Sequence, residues 1–119
     1  MKTSSFLISN RRNGQFQFSL KDNNSHEILR SEGYSNKIAC LAMVEFIKKN
    51  CANNQLYQRD TSQGKFFFEF KTSNGYKICT SEMFDSEESM EKNIELIKTL
   101  SPDAAIDDQV AVSETNYTI

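Results

Sequence analysis

The sequence predicts an α+β domain in which a β-β-β-α unit occurs twice in tandem. The two units build one mainly antiparallel sheet of six to seven strands, with two helices on one face and a pseudo-two-fold axis between the halves. Three observations predict this. The chain has 119 residues, the length of one domain rather than two. Shifted by fifty residues it matches itself without a gap, so that Gly14 falls on Gly64 and Lys48 on Lys98. Within each copy the apolar period changes from two to 3.6.

The first unit spans 6–55 and the second 56–105. A closing strand is expected at 106–110, which makes 1–110 a single domain, and residues 111–119 read as a flexible tail. Each unit opens on a short apolar stretch, Phe6–Ile8 or Leu56–Tyr57, followed by a turn cluster. Then Phe16, Phe18 and Leu20 alternate with Gln15, Gln17 and Ser19, and Phe66, Phe68 and Phe70 repeat the pattern. Aromatic residues at period two mark a half-buried strand. Asp22–Ser25 and Thr72–Gly75 have hairpin-turn composition. Short strands follow around Ile28–Ser31 and Ile78–Ser81.

The helix of each unit is expected to start after Ser35 or Asp85, both good N-cap types. Glu88, three residues beyond Asp85, fits a capping box. Cys40, Val44, Ile47 and Cys51 share one helical face, as do Met90, Ile94 and Ile97. Pro102 ends the second helix. One unit of this size would bury only about 60% of its unfolded surface. Pairing two doubles the core and hides two strand edges.

The pattern Gly-x-Phe-x-Phe-x-Leu/Phe-Lys, then Ile-x-x-Ser-Glu-x-Tyr/Phe, then a helix ending Ile-Lys, resembles the small bacterial YegP-like family (DUF1508, or UPF0339). It stands here as Gly14–Lys21, Ile28–Tyr34 and Ile47–Lys48, and again as Gly64–Lys71, Ile78–Phe84 and Ile97–Lys98. The resemblance covers about 6–110. It implies a β-β-β-α unit with an exchanged terminal strand, met in tandem or as single-copy dimers. It implies no activity and no catalytic residues. The second helix departs from the first in carrying Glu87, Glu88 and Glu91 where the first has Lys37, Ile38 and Leu41.

Composition excludes several classes. The longest apolar run, Ile38–Val44, falls far short of the roughly 18–20 residues a membrane span needs. No signal peptide is expected, and with the three cysteines (Cys40, Cys51, Cys79) in no framework spacing this reads as a cytoplasmic protein with reduced thiols. The net charge is −2, with an acidic end (Asp103, Asp107, Asp108, Glu114) and no concentrated basic face. Nucleic acid is therefore not an expected partner. Phe67 is the lone aromatic on the open sheet face, beside Lys65, Glu69 and Lys71.

No catalytic constellation stands out, so no enzyme, metal or cofactor is expected. His26, the only histidine, reads as a solvated turn residue. The cysteines read as small core hydrophobes, with Cys51 the most reachable. Among polar features, the repeated Ser31-Glu32 and Ser81-Glu82 stand out. A two-fold axis would bring them face to face as a ligand or acid/base site, or they could serve the adjacent helix starts. Ile38 and Leu41 mark extra apolar surface on the first helix, suited to a protein partner or self-association. The reading is a non-catalytic interaction or binding module, with a small-ligand site at the axis as the alternative and single-stranded nucleic acid on the open face as the weaker one.

Overall fold

Alternating sequence becomes strand in both repeats. In the computed structural model, which describes residues 4–110, the first unit forms β1 (Ser5–Asn10), β2 (Phe16–Lys21), β3 (Glu27–Ser31) and α1 (Lys37–Asn50). The second forms β4 (Tyr57–Ser62), β5 (Lys65–Lys71), β6 (Lys77–Thr80) and α2 (Glu87–Leu100), and β7 (Ala105–Asp108) follows. β7 starts one residue before the Ile106–Val110 stretch named from sequence and ends two residues short of it. The tail expected at 111–119 lies outside the described residues.

The seven strands make one sheet in the order β4-β5-β6-β3-β2-β1-β7. Every neighbouring pair is antiparallel except β1 and β7. At the centre, β3 pairs with β6 through Arg30↔Thr80 and Ser31↔Cys79. Arg30↔Thr80 is the pair that a fifty-residue shift maps onto itself, so the pseudo-two-fold axis passes between these two residues. Phe6, Ile8, Phe18, Leu20, Phe68 and Phe70 are fully buried with Cys40, Val44 and Ile47 of α1 and Met90, Ile94 and Ile97 of α2. That is one interior shared by both units.

Each β-hairpin carries the same irregularity. Leu20↔Leu29 is followed by Lys21↔Glu27, which leaves Ile28 as the extra residue of a bulge; Phe70↔Cys79 and Lys71↔Lys77 do the same to Ile78. The bulge buries two consecutive residues, Ile28-Leu29 and Ile78-Cys79, where strict alternation would expose one.

The helix starts correct the sequence reading by one residue. Asn36 caps α1, its side chain accepting from Ala39 N at 2.7 Å, and Ser86 caps α2, accepting from Ser89 N at 3.1 Å. Both caps are extended (φ −141° in each), which delays the helix past Ser35 and Asp85. Asp85 instead pairs with Lys65 on the surface. The Glu88 capping box is replaced by Ser86 and Ser89.

A second correction concerns the first strand of each unit. Phe6 pairs with Leu20, but Tyr57, not Leu56, pairs with Phe70. Leu56 belongs to a short 3₁₀ turn, Asn54–Leu56, that absorbs one extra residue. Tyr57 thus takes the place of Phe6: Phe6 meets Phe18 edge-on at 5.8 Å, and Tyr57 meets Phe68 edge-on at 5.6 Å. The turns differ too. Asn10↔Phe16 leaves a five-residue loop, whereas Ser62↔Lys65 leaves only Gln63-Gly64. Both of those have positive φ (53° and 80°), as a two-residue hairpin turn requires.

The slip places Arg59 where the first unit has Ile8, and the two sheet edges close by different means. Beside β1, Ala105 N of β7 donates to Ser4 O (3.2 Å), and Gln109 N, just past the strand, donates to Ile8 O (2.8 Å). Lys37 and Lys48 of α1 hold it through Asp108 and through Ala104 O (2.7 Å). Leu41 lies on the same helical stripe between them. Beside β4 there is no further strand among the described residues. Arg59 makes a forked contact with Glu91 (2.5 and 2.9 Å) and donates to Tyr57 O at 3.2 Å. Asp60 accepts from Thr61 N at 2.8 Å. Side chains thus occupy backbone groups that an edge strand would otherwise offer to another chain.

Candidate functional site

The site is built where the two units meet. Leu29 and Cys79 face the core, so Arg30 and Thr80, their neighbours in sequence, face away from the helices. On that open face, around the axis, lies a cleft of about 370 Å³. Arg11, Arg30 and Glu27 line it together with Ser31, Glu32, Ser81 and Glu82. All four Ser-Glu residues singled out in the sequence therefore border one cleft.

Their geometry is specific. Ser31 Oγ accepts from Phe18 N (2.9 Å) and donates to Glu32 O (2.7 Å). Ser81 Oγ accepts from Phe68 N (3.0 Å) and donates to Glu82 O (2.8 Å). Each serine bridges the gap where its strand parts from the neighbouring strand, before the chain rejoins it at Phe16↔Tyr34 or Phe66↔Phe84. Helix starts are served by Asn36 and Ser86 instead, so the helix-capping reading of these serines is corrected. Both hydroxyls are thus engaged by backbone groups as acceptor and as donor.

The carboxylates reach across the axis. Glu82 contacts His26 of the first unit at 3.2 Å, and Glu32 contacts Lys77 of the second at 3.7 Å. His26 is exposed, as a turn residue should be, but it is also a cross-axis contact. Glu32 N donates to Ile78 O at 3.1 Å. Tyr34, beneath this junction, donates its hydroxyl to Ile78 O at 3.4 Å, and burial pushes its phenol far above the ordinary range.

Sequence spacing gave no sign of Arg11. It sits in the five-residue loop that the second unit lacks. Its guanidinium donates to Gln17 Oε1 and Ser31 O, both at 3.0 Å. Gly33 leaves it room, since a Cβ there would stand 2.4 Å from Gln15 Oε1 and 3.2 Å from Arg11 Nη1. The second unit has Met83 at the matching position.

The remaining candidates lie elsewhere. Ile38, on α1, is 81% exposed. Leu41 is partly buried and packs against the core. All three cysteines are buried. Cys51 is 2% exposed, with its thiol against Lys48 O and Lys98 O (both 3.8 Å), which corrects the expectation that it is reachable. Burial raises all three thiols, Cys40 to about 11. Among the described residues no group of three or more His, Cys, Asp or Glu could hold a metal ion, and no helix is long and apolar enough to cross a membrane.

Comparison with known proteins follows the same division. The family model described as a domain of unknown function (DUF1508) matches twice, at residues 12–58 and 62–108. A UPF0339 protein from the ptx operon 5′ region of Stutzerimonas stutzeri is 43% identical over 102 residues, 85% of this chain and 92% of that one. The UPF0339 protein YegP of Escherichia coli K12 is 33% identical over 94 residues, covering 78% and 86%. The solution NMR structure of E. coli YegP, a protein of unknown function, superposes with a TM-score of 0.87 at 27% identity, over 95% of this chain and 98% of that one. A UPF0339 protein structure from Shewanella oneidensis gives 0.85 at 27% identity, over 91% and 92%.

Proposed function

This chain belongs to the DUF1508 family as a tandem copy, and from that premise we propose that it is a non-catalytic binding module whose binding site is the cleft on the axis. One observation carries the reading: Ser31, Glu32, Ser81 and Glu82, contributed by both repeats, line the same cleft. Its volume sits at the small end of ligand pockets, which run roughly 300–1,000 Å³. A binding role fits better than catalysis, because the serine hydroxyls are held by backbone groups and each carboxylate is engaged by a side chain of the other repeat, Glu32 by Lys77 and Glu82 by the His26 imidazole. The test is an NMR screen of small polar compounds against ¹⁵N-labelled protein. Binders should move the amides of residues 28–32 and 80–82. Shifts scattered over the helices, or none in this segment, would remove the reading.

A second reading has its own observation. Ile38 is the most exposed large apolar side chain among the described residues, and it would serve self-association or a protein contact at the start of α1. Concentration-dependent mass in light scattering, reduced by Ile38→Glu, is the expected result; a protein that stays monomeric at high concentration excludes self-association there.

A further inference from the structure

We infer that the cleft selects a small zwitterion, with a carboxylate held by Arg11 and a cationic amine held by Glu82. The inference rests on the reading of the cleft as a binding site and names the class of ligand. Five charged residues line it: Arg11, Arg30, Glu27, Glu32 and Glu82. Three are matched. Glu27 holds Arg30 at 2.9 Å and has Lys21 at 3.9 Å, and Glu32 has Lys77 at 3.7 Å.

Two are not. Arg11 hydrogen-bonds only neutral acceptors, Gln17 Oε1 and Ser31 O, and has no carboxylate partner among the described residues. A guanidinium offers five N–H donors, so most of its capacity stays open while these two bonds fix its plane. Glu82 is the lining carboxylate that no lysine or arginine reaches among the described residues; its partner there is the imidazole of His26, on the exposed rim. Arg11 and Glu82 border the same cleft without forming an ion pair with each other. A cation and an anion, set apart and with no permanently charged partner, complement a molecule that carries both charges apart.

The surroundings narrow the class. Three glutamates against two arginines disfavour a dianion such as a phosphate monoester or a dicarboxylate. The arginines disfavour a simple cation. Polarity is built in as well. Arg11 comes from the long β1–β2 loop, which closes on itself through Arg11 N to Gln15 O (2.7 Å) and Gly14 N to Arg11 O (3.0 Å). Gly33 admits the guanidinium, whereas Met83 stands at the matching position of the other repeat. The fold is nearly symmetric, yet the cationic end of the cleft is made once, so a head-to-tail ligand has one orientation.

The experiment uses the full chain and a ladder of ω-amino carboxylates, from glycine to 6-aminohexanoate, with butyrate, butylamine, succinate and inorganic phosphate as controls. NMR titration reads the amides of residues 28–32 and 80–82. One member of the ladder should bind about tenfold tighter than butyrate or butylamine. Arg11→Lys, which keeps the charge but loses the fork, should weaken zwitterion and butyrate alike by about fivefold. Glu82→Gln should bring the zwitterion down to the level of butyrate and leave butyrate unchanged. Should Arg11→Lys fold poorly, the Glu82→Gln pattern decides alone. Succinate or phosphate binding as tightly as the best amino carboxylate would overturn the inference. So would a ladder that leaves these amides still while other polar compounds move them, and that result spares the broader reading. If no compound of any kind moves them, both readings fall.

Discussion

Ser31 and Ser81 show how much one hydroxyl can do at the residue scale. Each satisfies a buried amide (Phe18 N or Phe68 N) and passes its own proton to the carbonyl of the next residue. Removing one partner of a buried hydrogen bond leaves the other unsatisfied, at a cost of about 1–3 kcal/mol. Ser31→Ala and Ser81→Ala should each lower stability by about that much in chemical denaturation, while an exposed turn serine such as Ser73 changed to Ala should cost less. The repeated Ser-Glu pair was legible in the sequence as something kept twice. Its job was not, because the bulge and the parting of strands that create the orphan amide come from tertiary pairing. Arg11 was invisible for a related reason: it lies in the loop where the repeat breaks.

Among the elements, strands and helices followed from period alone, and the buried stripe of α1 is the one its spacing named. Boundaries did not follow. Asn36 and Ser86 displaced Ser35 and Asp85 because capping depends on backbone angles that a run of adjacent polar residues leaves open. The offset of β4 was hidden because Leu56 and Tyr57 are both apolar, and only the 3₁₀ turn and the two-residue hairpin decide between them. That offset makes the Arg59–Glu91 contact, which replaces the Ile8 and Leu41 of the other half. The Arg59 guanidinium holds the Glu91 carboxyl below its ordinary 4.5. A lowered acid contributes stability above that value and loses it as pH falls through the shifted one. Thermal melts from pH 7 to pH 3 should therefore show Glu91→Gln less stable at neutral pH, by about 0.5–1 kcal/mol for a half-exposed forked pair. The gap to the wild type should close in acid, and a gap independent of pH would assign Glu91 a packing role instead.

For the whole molecule, the shared interior sets what can fold. The α+β class, the doubled unit and the single sheet were all readable from the fifty-residue match, and the family comparisons agree with them. Each half contributes roughly half of the buried side chains, and the cross-axis pairs Arg30↔Thr80 and Ser31↔Cys79 have no substitute within one half. A fragment of residues 1–53 should therefore lack a cooperative unfolding transition at low concentration. Mixing it with a fragment of 54–119 should restore one, as circular dichroism against denaturant would show. A 1–53 fragment that melts cooperatively as a monomer would mean that the units are independent.

The way β3 meets β6 also bears on copy number. An isologous contact uses up the same surface on both participants, so an assembly that grows through it stops at two. The outer margins differ from this joint among the described residues, since one ends on the parallel strand β7 and on the other Arg59 and Asp60 engage the Tyr57 carbonyl and the Thr61 amide. Solenoids lengthen by stacking each unit on the last; the β3–β6 joint cannot serve that way, and a third copy would find it already occupied.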